Sequence, residues 1–388
     1  MIANDLPQGM TRNTISLLLG HPDPATVFTP ELHEAMQSVL NQPQAYKALQ
    51  YGPEQGTPGL ISYLVDKVNR EQDLALQPAN MMLVAGSTHA IDMIARLFTK
   101  PGDIAIVEAP SYVDALHVFR DQQIELCSIP MDEHGLIVTE LATLLAQLKS
   151  EGKTPRFLYS VPNFHNPTGI TLSEERRVQI IALAQQYSFF IIEDDVYRYL
   201  GFERSLPTSF YALAQGERVM SIGSFSKTLA PGLRIGWLTG SPEAIQQCVN
   251  AGTTQMGGGA NPLAAQMVME YCLKGYWEWH IQRLQALYQQ RRDTALAALS
   301  QFMPADVIWT TPLGGFFIWI TLPKTIFAQE VKRLALHQGV TLSSGEGFFI
   351  NFTDGQHNLR IAYSFASLSD LEAGIKILGQ IIRNLQHP

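Results

Sequence analysis

The sequence predicts an α/β protein: a large domain on a mostly parallel, seven-stranded sheet sandwiched by helices, followed by a smaller α+β domain. Three observations carry this. Seven short apolar runs fall between residues 81 and 239, and helical stretches separate most of them. Beyond Ser241 long helices take over, with only two further strand-like segments. Alternation of this kind marks a parallel sheet covered on both faces.

Composition sets the outer bounds. The chain has 388 residues, 46% of them hydrophobic and 16% charged, as in an ordinary globular protein of two domains. A net charge of −8 without a basic run argues against a nucleic-acid partner. The opening MIANDLPQGM lacks the features of a signal peptide, and no apolar run approaches the ~20 residues that span a bilayer. Cys127, Cys248 and Cys272 are odd in number and far apart, which speaks against a disulfide framework or a zinc site. A cytoplasmic protein is expected.

The elements follow in order. After a Pro-rich arm, Thr29 to Asn41 reads as a first helix, and a turn-dense loop from Tyr51 to Pro58 leads into a second, Gly59 to Arg70. Strands are expected at Met81–Ala85, Ile104–Glu108, Gln123–Ile129, Phe157–Val161, Phe189–Glu193, Val219–Gly223 and Ile235–Thr239. Helices are expected at Thr88–Phe98, Tyr112–Arg120, Val138–Leu148 and Ser173–Tyr187, then at Pro242–Asn250, Pro262–Leu273 and from Gly275 to Gln301. Past Pro304, strands near Phe316–Ile320 and Leu359–Tyr363 precede a last helix, Leu368 to Leu385. The expected division is an arm, 1–40, packing on the small domain; a large domain, 41–280; and a small domain, 281–388.

Ligands of open α/β sheets bind beyond the carboxyl ends of the strands, so those ends matter most. The sixth run leads into Ser224-Phe225-Ser226-Lys227, with Arg234 seven residues on. A lysine in such a loop, low in a cleft, can be desolvated into a nucleophile. Two hydroxyls and a guanidinium beside it suit a phosphate. Together they suggest a cofactor bearing both an aldehyde and a phosphate, which describes pyridoxal phosphate. The first run ends in Gly86-Ser87-Thr88 at a helix start, where an anion is welcome. The fourth ends in Asn166-Pro167-Thr168-Gly169, a tight turn whose Asn166–Pro167 bond is a candidate for cis; the Asn166 amide can donate to an oxygen on a bound ring. The fifth ends in Glu193-Asp194-Asp195, three carboxylates that need partners or work, with Tyr197 just beyond. A carboxylate held against a pyridine nitrogen keeps that nitrogen protonated, and Tyr197 can point back at the ring's phenolic oxygen.

Asn-Pro-Thr-Gly, Asp-x-x-Tyr and Ser-x-Ser-Lys followed by Arg, in this order, resemble the fold-type I pyridoxal-phosphate enzymes, specifically the class I/II aminotransferases. Ser-Phe-Ser-Lys-Thr-Leu-Ala-Pro-Gly-Leu-Arg-Ile-Gly-Trp is most similar to the branch holding aminoadipate-type aminotransferases and the aminotransferase-like domains of MocR regulators. The resemblance runs from Gly20 to the last helix. It implies that Lys227 forms the Schiff base, Asp194 pairs with the pyridine nitrogen, and Asn166 and Tyr197 hold O3′. It further implies that Tyr112 stacks on the ring and that Ser87, Thr88, Ser224, Ser226 and Arg234 hold the phosphate. Tyr51 resembles a tyrosine that reaches the phosphate from a neighbouring subunit, hence a homodimer. Arg360 resembles the arginine that clamps the substrate α-carboxylate, and Asn166 and Gly20 are expected to bind substrate with it. Two departures, Leu60-Ile61 for a usual Leu-Arg and Ser344-Gly345 for Pro-Gly, lie away from this chemistry.

The implied activity is ping-pong transamination between an α-amino acid and a 2-keto acid. Lys227 is both anchor and proton carrier, while Asp194 and Tyr197 tune the ring. Two rival readings stand beside it. One is another reaction on the same cofactor, β-elimination or racemisation. The other is a cofactor-sensing regulatory domain like that of the MocR regulators, for which the roughly twenty residues before Gly20 are too few for a helix-turn-helix. For the substrate side chain, the arm at Gly20–Pro24 and the glycine-rich loop Gly257–Asn261 are expected to shape the pocket, and no second arginine stands out opposite it.

Overall fold

Each apolar run between residues 81 and 239 folds as a strand, its ends shifted by up to three residues from those expected. The structure is a computed structural model and describes residues 14–202 and 205–386. In chain order its strands begin with β1 (Ile15–Ser16), β2 (Met81–Val84), β3 (Ile104–Ala109), β4 (Glu125–Asp132) and β5 (Gly135–Leu136). They continue with β6 (Pro155–Ser160), β7 (Phe190–Asp194), β8 (Val219–Ser224) and β9 (Gly236–Thr239). The last are β10 (Ile308–Trp309), β11 (Phe317–Thr321), β12 (Val340–Thr341), β13 (Ser343–Ser344) and β14 (Asn358–Ala362).

The large sheet runs β2-β9-β8-β7-β6-β3-β4-β5. It therefore has eight strands rather than seven. The addition, β5, is two residues turned back on β4, too short to leave a periodic signal. The pairs from β4 through β3, β6 and β7 to β8 are parallel, whereas β9 is antiparallel to both β8 and β2. All four residues of β2 are buried; Met82 and Val84 belong to the apolar core on one face, Met81 and Leu83 to that on the other. A strand with both faces covered must be apolar throughout, and this is why the runs were legible.

Helices Val113–Asp121, Val138–Ser150 and Glu174–Tyr187 make the crossovers. Ser173 caps the last of these by accepting from Arg176 N–H, and Glu174 and Glu175 occupy its first turn, as the helix dipole favours. A second, four-stranded sheet, β10-β11-β14-β13, lies later in the chain, and β1 of the arm pairs in parallel with β12. The helix Ala328–His337 was not anticipated, although Ala328, Val331, Leu334 and Ala335 give it the proper spacing.

The register decides what meets at the edge where β6, β7 and β8 end. Ser160 pairs with Glu193, Asp194 with Ile222, and Ser224 with Gly236. Because β9 is antiparallel, its first residues lie beside the last of β8, and Val84 of β2 also pairs with Gly236. The loop carrying Lys227, the turn carrying Arg234 and the helix start at Ser87 thus converge on one edge.

Candidate active site

A cavity of about 260 Å³ opens at that edge. Lys227, Asp194, Tyr197, Asn166, Tyr112, Ser87, Thr88, Ser226, Arg234, Arg360 and Gly20 all line it, though they are scattered over 340 positions of sequence from Gly20 to Arg360.

The Lys227 amine donates to the Gly20 carbonyl at 3.2 Å and lies 5.8 Å from the Tyr197 ring centre. Burial, reinforced by the Arg360 charge, pushes its pKa from 10.5 down to about 8. An amine that releases its proton near neutrality is a competent nucleophile and base.

The three carboxylates at the end of β7 separate by direction, since successive side chains on a strand leave opposite faces. Glu193 turns away and accepts from the Phe210 and Tyr211 N–H groups, at 2.7 and 3.3 Å. Asp195 accepts from the Asn163 amide at 2.6 Å and from Arg198 at 3.0 Å. Only Asp194 lines the cavity. Its Oδ2 accepts from the Tyr159 hydroxyl at 2.6 Å, while its Oδ1 is buried without a partner. Burial raises Asp194 to about 6, partly opposed by the Tyr159 hydrogen bond. Tyr159, on β6, went unnoticed in the sequence because nothing local marks it.

Asn166 precedes Pro167 through a cis bond, and its Oδ1 accepts from Arg360 Nη1 at 3.0 Å, which leaves Nδ2 as the amide's donor toward the cavity. Arg360 Nη2 donates to the Leu18 carbonyl at 2.9 Å and to Ser343 Oγ at 3.2 Å. Its guanidinium lies 4.4 Å from the Phe317 ring centre and 5.0 Å from that of Phe348, and its Nε is buried without a partner. Burial lowers the Arg360 pKa to about 10, still charged at neutral pH. A cation held between two rings with an unmet donor suits a carboxylate.

Gly20 is the arm's contribution. A β-carbon there would lie 2.4 Å from Phe317 Cζ, so only glycine lets the arm close over the ring. Tyr112 caps no group itself; its hydroxyl donates to Asp114 Oδ2 at 2.7 Å. Burial raises the phenols of both Tyr112 and Tyr197.

The other end of the cavity is a cradle. Helix Ser87–Phe98 begins after Gly86 with no side chain capping it, so its first N–H groups await an acceptor. Gly86 has φ of 86°, and a β-carbon there would meet Arg234 Nη2 at 2.3 Å. Arg234, itself left-handed at φ 53°, donates through Nη2 to the Ala85 carbonyl at 3.0 Å. Ser226 lines the cavity, whereas Ser224 stands behind it, its Oγ donating to Ser226 Oγ at 2.9 Å and accepting from Ser226 N–H.

Tyr51 is not in the cavity. It is 87% exposed and packs with the loop at Gly257 around a neighbouring hollow that shares only Arg234 with the first. The Gly257–Asn261 loop, expected near the substrate, accompanies it there.

These residues fit pyridoxal phosphate: an unpartnered buried carboxylate oxygen for a ring nitrogen, an amine of lowered pKa, and an uncapped helix start beside an arginine for a phosphate.

Comparison with known proteins agrees with that chemistry. Residues 17–378 match the family model for aminotransferase class I and II. The chain is 35% identical to aromatic-amino-acid aminotransferase 1 of Thermococcus litoralis, over 96% of this chain and 89% of that protein. It is 31% identical to the 2-aminoadipate transaminase of Thermus thermophilus, over 96% and 90%. The crystal structure of Pyrococcus horikoshii kynurenine aminotransferase superposes with a TM-score of 0.92 at 35% identity, covering 96% of this chain and 92% of that one. The chain belongs to the class I and II aminotransferases, and it is a pyridoxal-phosphate-dependent transaminase acting on amino and keto acids.

Proposed function

We propose that Lys227 is the residue that anchors the cofactor and carries the proton in this transaminase. The observation that carries this is its amine, of lowered pKa, on the same cavity wall as the unpartnered Oδ1 of Asp194. Pyridoxal phosphate supplies an aldehyde for amine exchange and a protonated ring that draws electrons from the substrate Cα.

Each side chain then has one task. Asp194 holds the ring nitrogen in its protonated form, and Tyr159 keeps that carboxylate oriented. Asn166 Nδ2 and the Tyr197 hydroxyl hold the ring oxygen, and Tyr112 covers one ring face. The helix start at Ser87 and Thr88, with Ser226 and Arg234, receives the phosphate, while Ser224 orients Ser226. Arg360 would bind the substrate α-carboxylate and so set Cα within reach of Lys227 Nζ, which as free amine would take up and carry the Cα proton.

The working unit on this reading is a homodimer. Leu49, Tyr51 and Met256 are 68%, 87% and 85% exposed, and Leu49 and Tyr51 line one hollow with the Gly257 loop, a surface suited to a second copy. A second copy covering them brings Tyr51 to the neighbouring phosphate site. Among the described residues no helix is long and apolar enough to cross a membrane, and the three cysteines are free, which fits a reducing compartment such as the cytoplasm.

Borohydride reduction of the loaded protein, followed by peptide mass mapping, tests the anchor. The mass of the reduced cofactor is expected on Lys227, with Lys227→Ala losing at least about 10³-fold in keto-acid-dependent amino transfer. Label on another lysine, or ammonia release without keto-acid dependence, contradicts the reading. Light scattering should give twice the 43.1 kDa chain mass.

A further inference from the structure

Five formally charged side chains line the cavity: Lys227, Arg234, Arg360, Asp194 and Asp114. On the proposed function, which this inference rests on, four have work: Lys227 at Cα, Arg234 at the phosphate, Asp194 at the ring nitrogen, Arg360 at the α-carboxylate. Asp114 is left over.

Its position is informative. Asp114 sits in the first turn of helix Val113–Asp121, exposed at the mouth of the cavity, with Oδ2 accepting from Tyr112 at 2.7 Å. Its charge acts on both Lys227 and Arg360, so it lies within electrostatic reach of the two groups between which a substrate Cα must sit. Its hydrogen bond with the Tyr112 hydroxyl fixes it there. Of the two wall histidine and arginine side chains near the arm, His21 adds no cation: burial, with Lys227 and Arg360, lowers its pKa from 6.5. The group a neighbouring subunit is proposed to bring, Tyr51, is a phenol. No cation among the described lining residues therefore remains for a second carboxylate, and one fixed anion stands in its way.

We infer that Asp114 is a specificity-determining residue that selects the charge of the substrate side chain, turning away side chains that end in a carboxylate and admitting neutral or cationic ones. The physical reason is the usual asymmetry of a partly dry cleft. A carboxylate entering it loses hydration and is repelled by Asp114; a methyl meets neither penalty, and the hydration an ammonium loses is offset by its attraction to Asp114.

Three donors of equal chain length and different terminal charge make the test: norleucine, lysine and 2-aminoadipate. Wild-type protein should show kcat/KM falling from norleucine and lysine to 2-aminoadipate. In Asp114→Asn the ratio of 2-aminoadipate to norleucine should rise about tenfold, and that of lysine to norleucine should fall. Tyr112→Phe, which frees Asp114 but keeps its charge, should lower turnover for all three and leave the ratios near wild type. Calorimetric binding of glutarate against pentanoate, on wild type and Asp114→Asn, should give the same change of ratio without turnover. Ratios unmoved in Asp114→Asn, or moved as much in Tyr112→Phe, overturn the inference while leaving transamination intact. A wild-type protein that transfers no amino group from any donor points instead to a failure of the proposed function.

Discussion

Arg360 Nη1 donates to Asn166 Oδ1 across 3.0 Å, joining a strand of the small sheet to the loop that ends a strand of the large one. The two residues are 194 positions apart, and both line the cavity. One contact therefore fixes the Arg360 guanidinium and turns the Asn166 amide donor toward the cavity, as their proposed roles require.

Arg360→Lys keeps the charge but loses the fork, the bond to Asn166 and the stack between Phe317 and Phe348. The expected loss is about 100-fold in kcat/KM for α-amino acids, larger than for primary amines that lack a carboxylate. Steady-state kinetics on a matched amino acid and amine measures the ratio; equal losses for both would mean that Arg360 does not bind the carboxylate.

Asp194 makes a prediction about pH. Its pKa is raised from 3.8 to about 6 by burial. A carboxyl with a raised native pKa favours the fold while protonated, and that benefit disappears as pH rises through about 4 to 6. Above pH 6 the ionised group destabilises the cofactor-free protein by about 3 kcal/mol. Asp194→Asn has no such group to ionise. The cofactor-free variant should be more stable than wild type at pH 8, and the gap should shrink as pH falls below 6. Denaturant titrations from pH 4.5 to 8 check this, and a gap that widened toward acid would refute it. Transaminase activity of the variant should fall steeply, a case of stability given up for function.

Gly86 separates strain from contact. Gly86→Ala places a β-carbon 2.3 Å from Arg234 Nη2 at a φ of 86°, whereas at Gly102, with φ of 84°, a β-carbon meets nothing within 4 Å. Both substitutions should cost about 1 kcal/mol in backbone strain. Only Gly86→Ala should also weaken pyridoxal phosphate binding, by tenfold or more, because Arg234 has to move. Equilibrium dialysis of the two variants distinguishes them, and equal affinities would remove Gly86 from the phosphate cradle.

Much of this was readable in the sequence because it is local. Strands with both faces covered have to be apolar throughout, so most of the large sheet was visible as apolar runs, whereas the two-residue β5 was not. Motifs at strand ends were visible for a similar reason: Asn166, Asp194 and Lys227 each lie within a few residues of the strand that places them. Ser224 and Ser226 looked alike at that level, yet only Ser226 reaches the cavity wall.

What the sequence determined by itself was therefore the list of chemical groups and the strands that carry them. Which groups face one another was decided by tertiary structure. Glu193, Asp194 and Asp195 are equivalent as letters; the pleat of β7 and the hydroxyl of Tyr159 single out one of them. Arg234 reaches the helix start only because β9 runs antiparallel, and Tyr51 stands outside its own cavity. Lys227 owes its lowered pKa to burial and to Arg360, 133 residues away in the chain and near it only in the fold. Desolvation and charge depend on distance in space, and distance in space is what folding supplies.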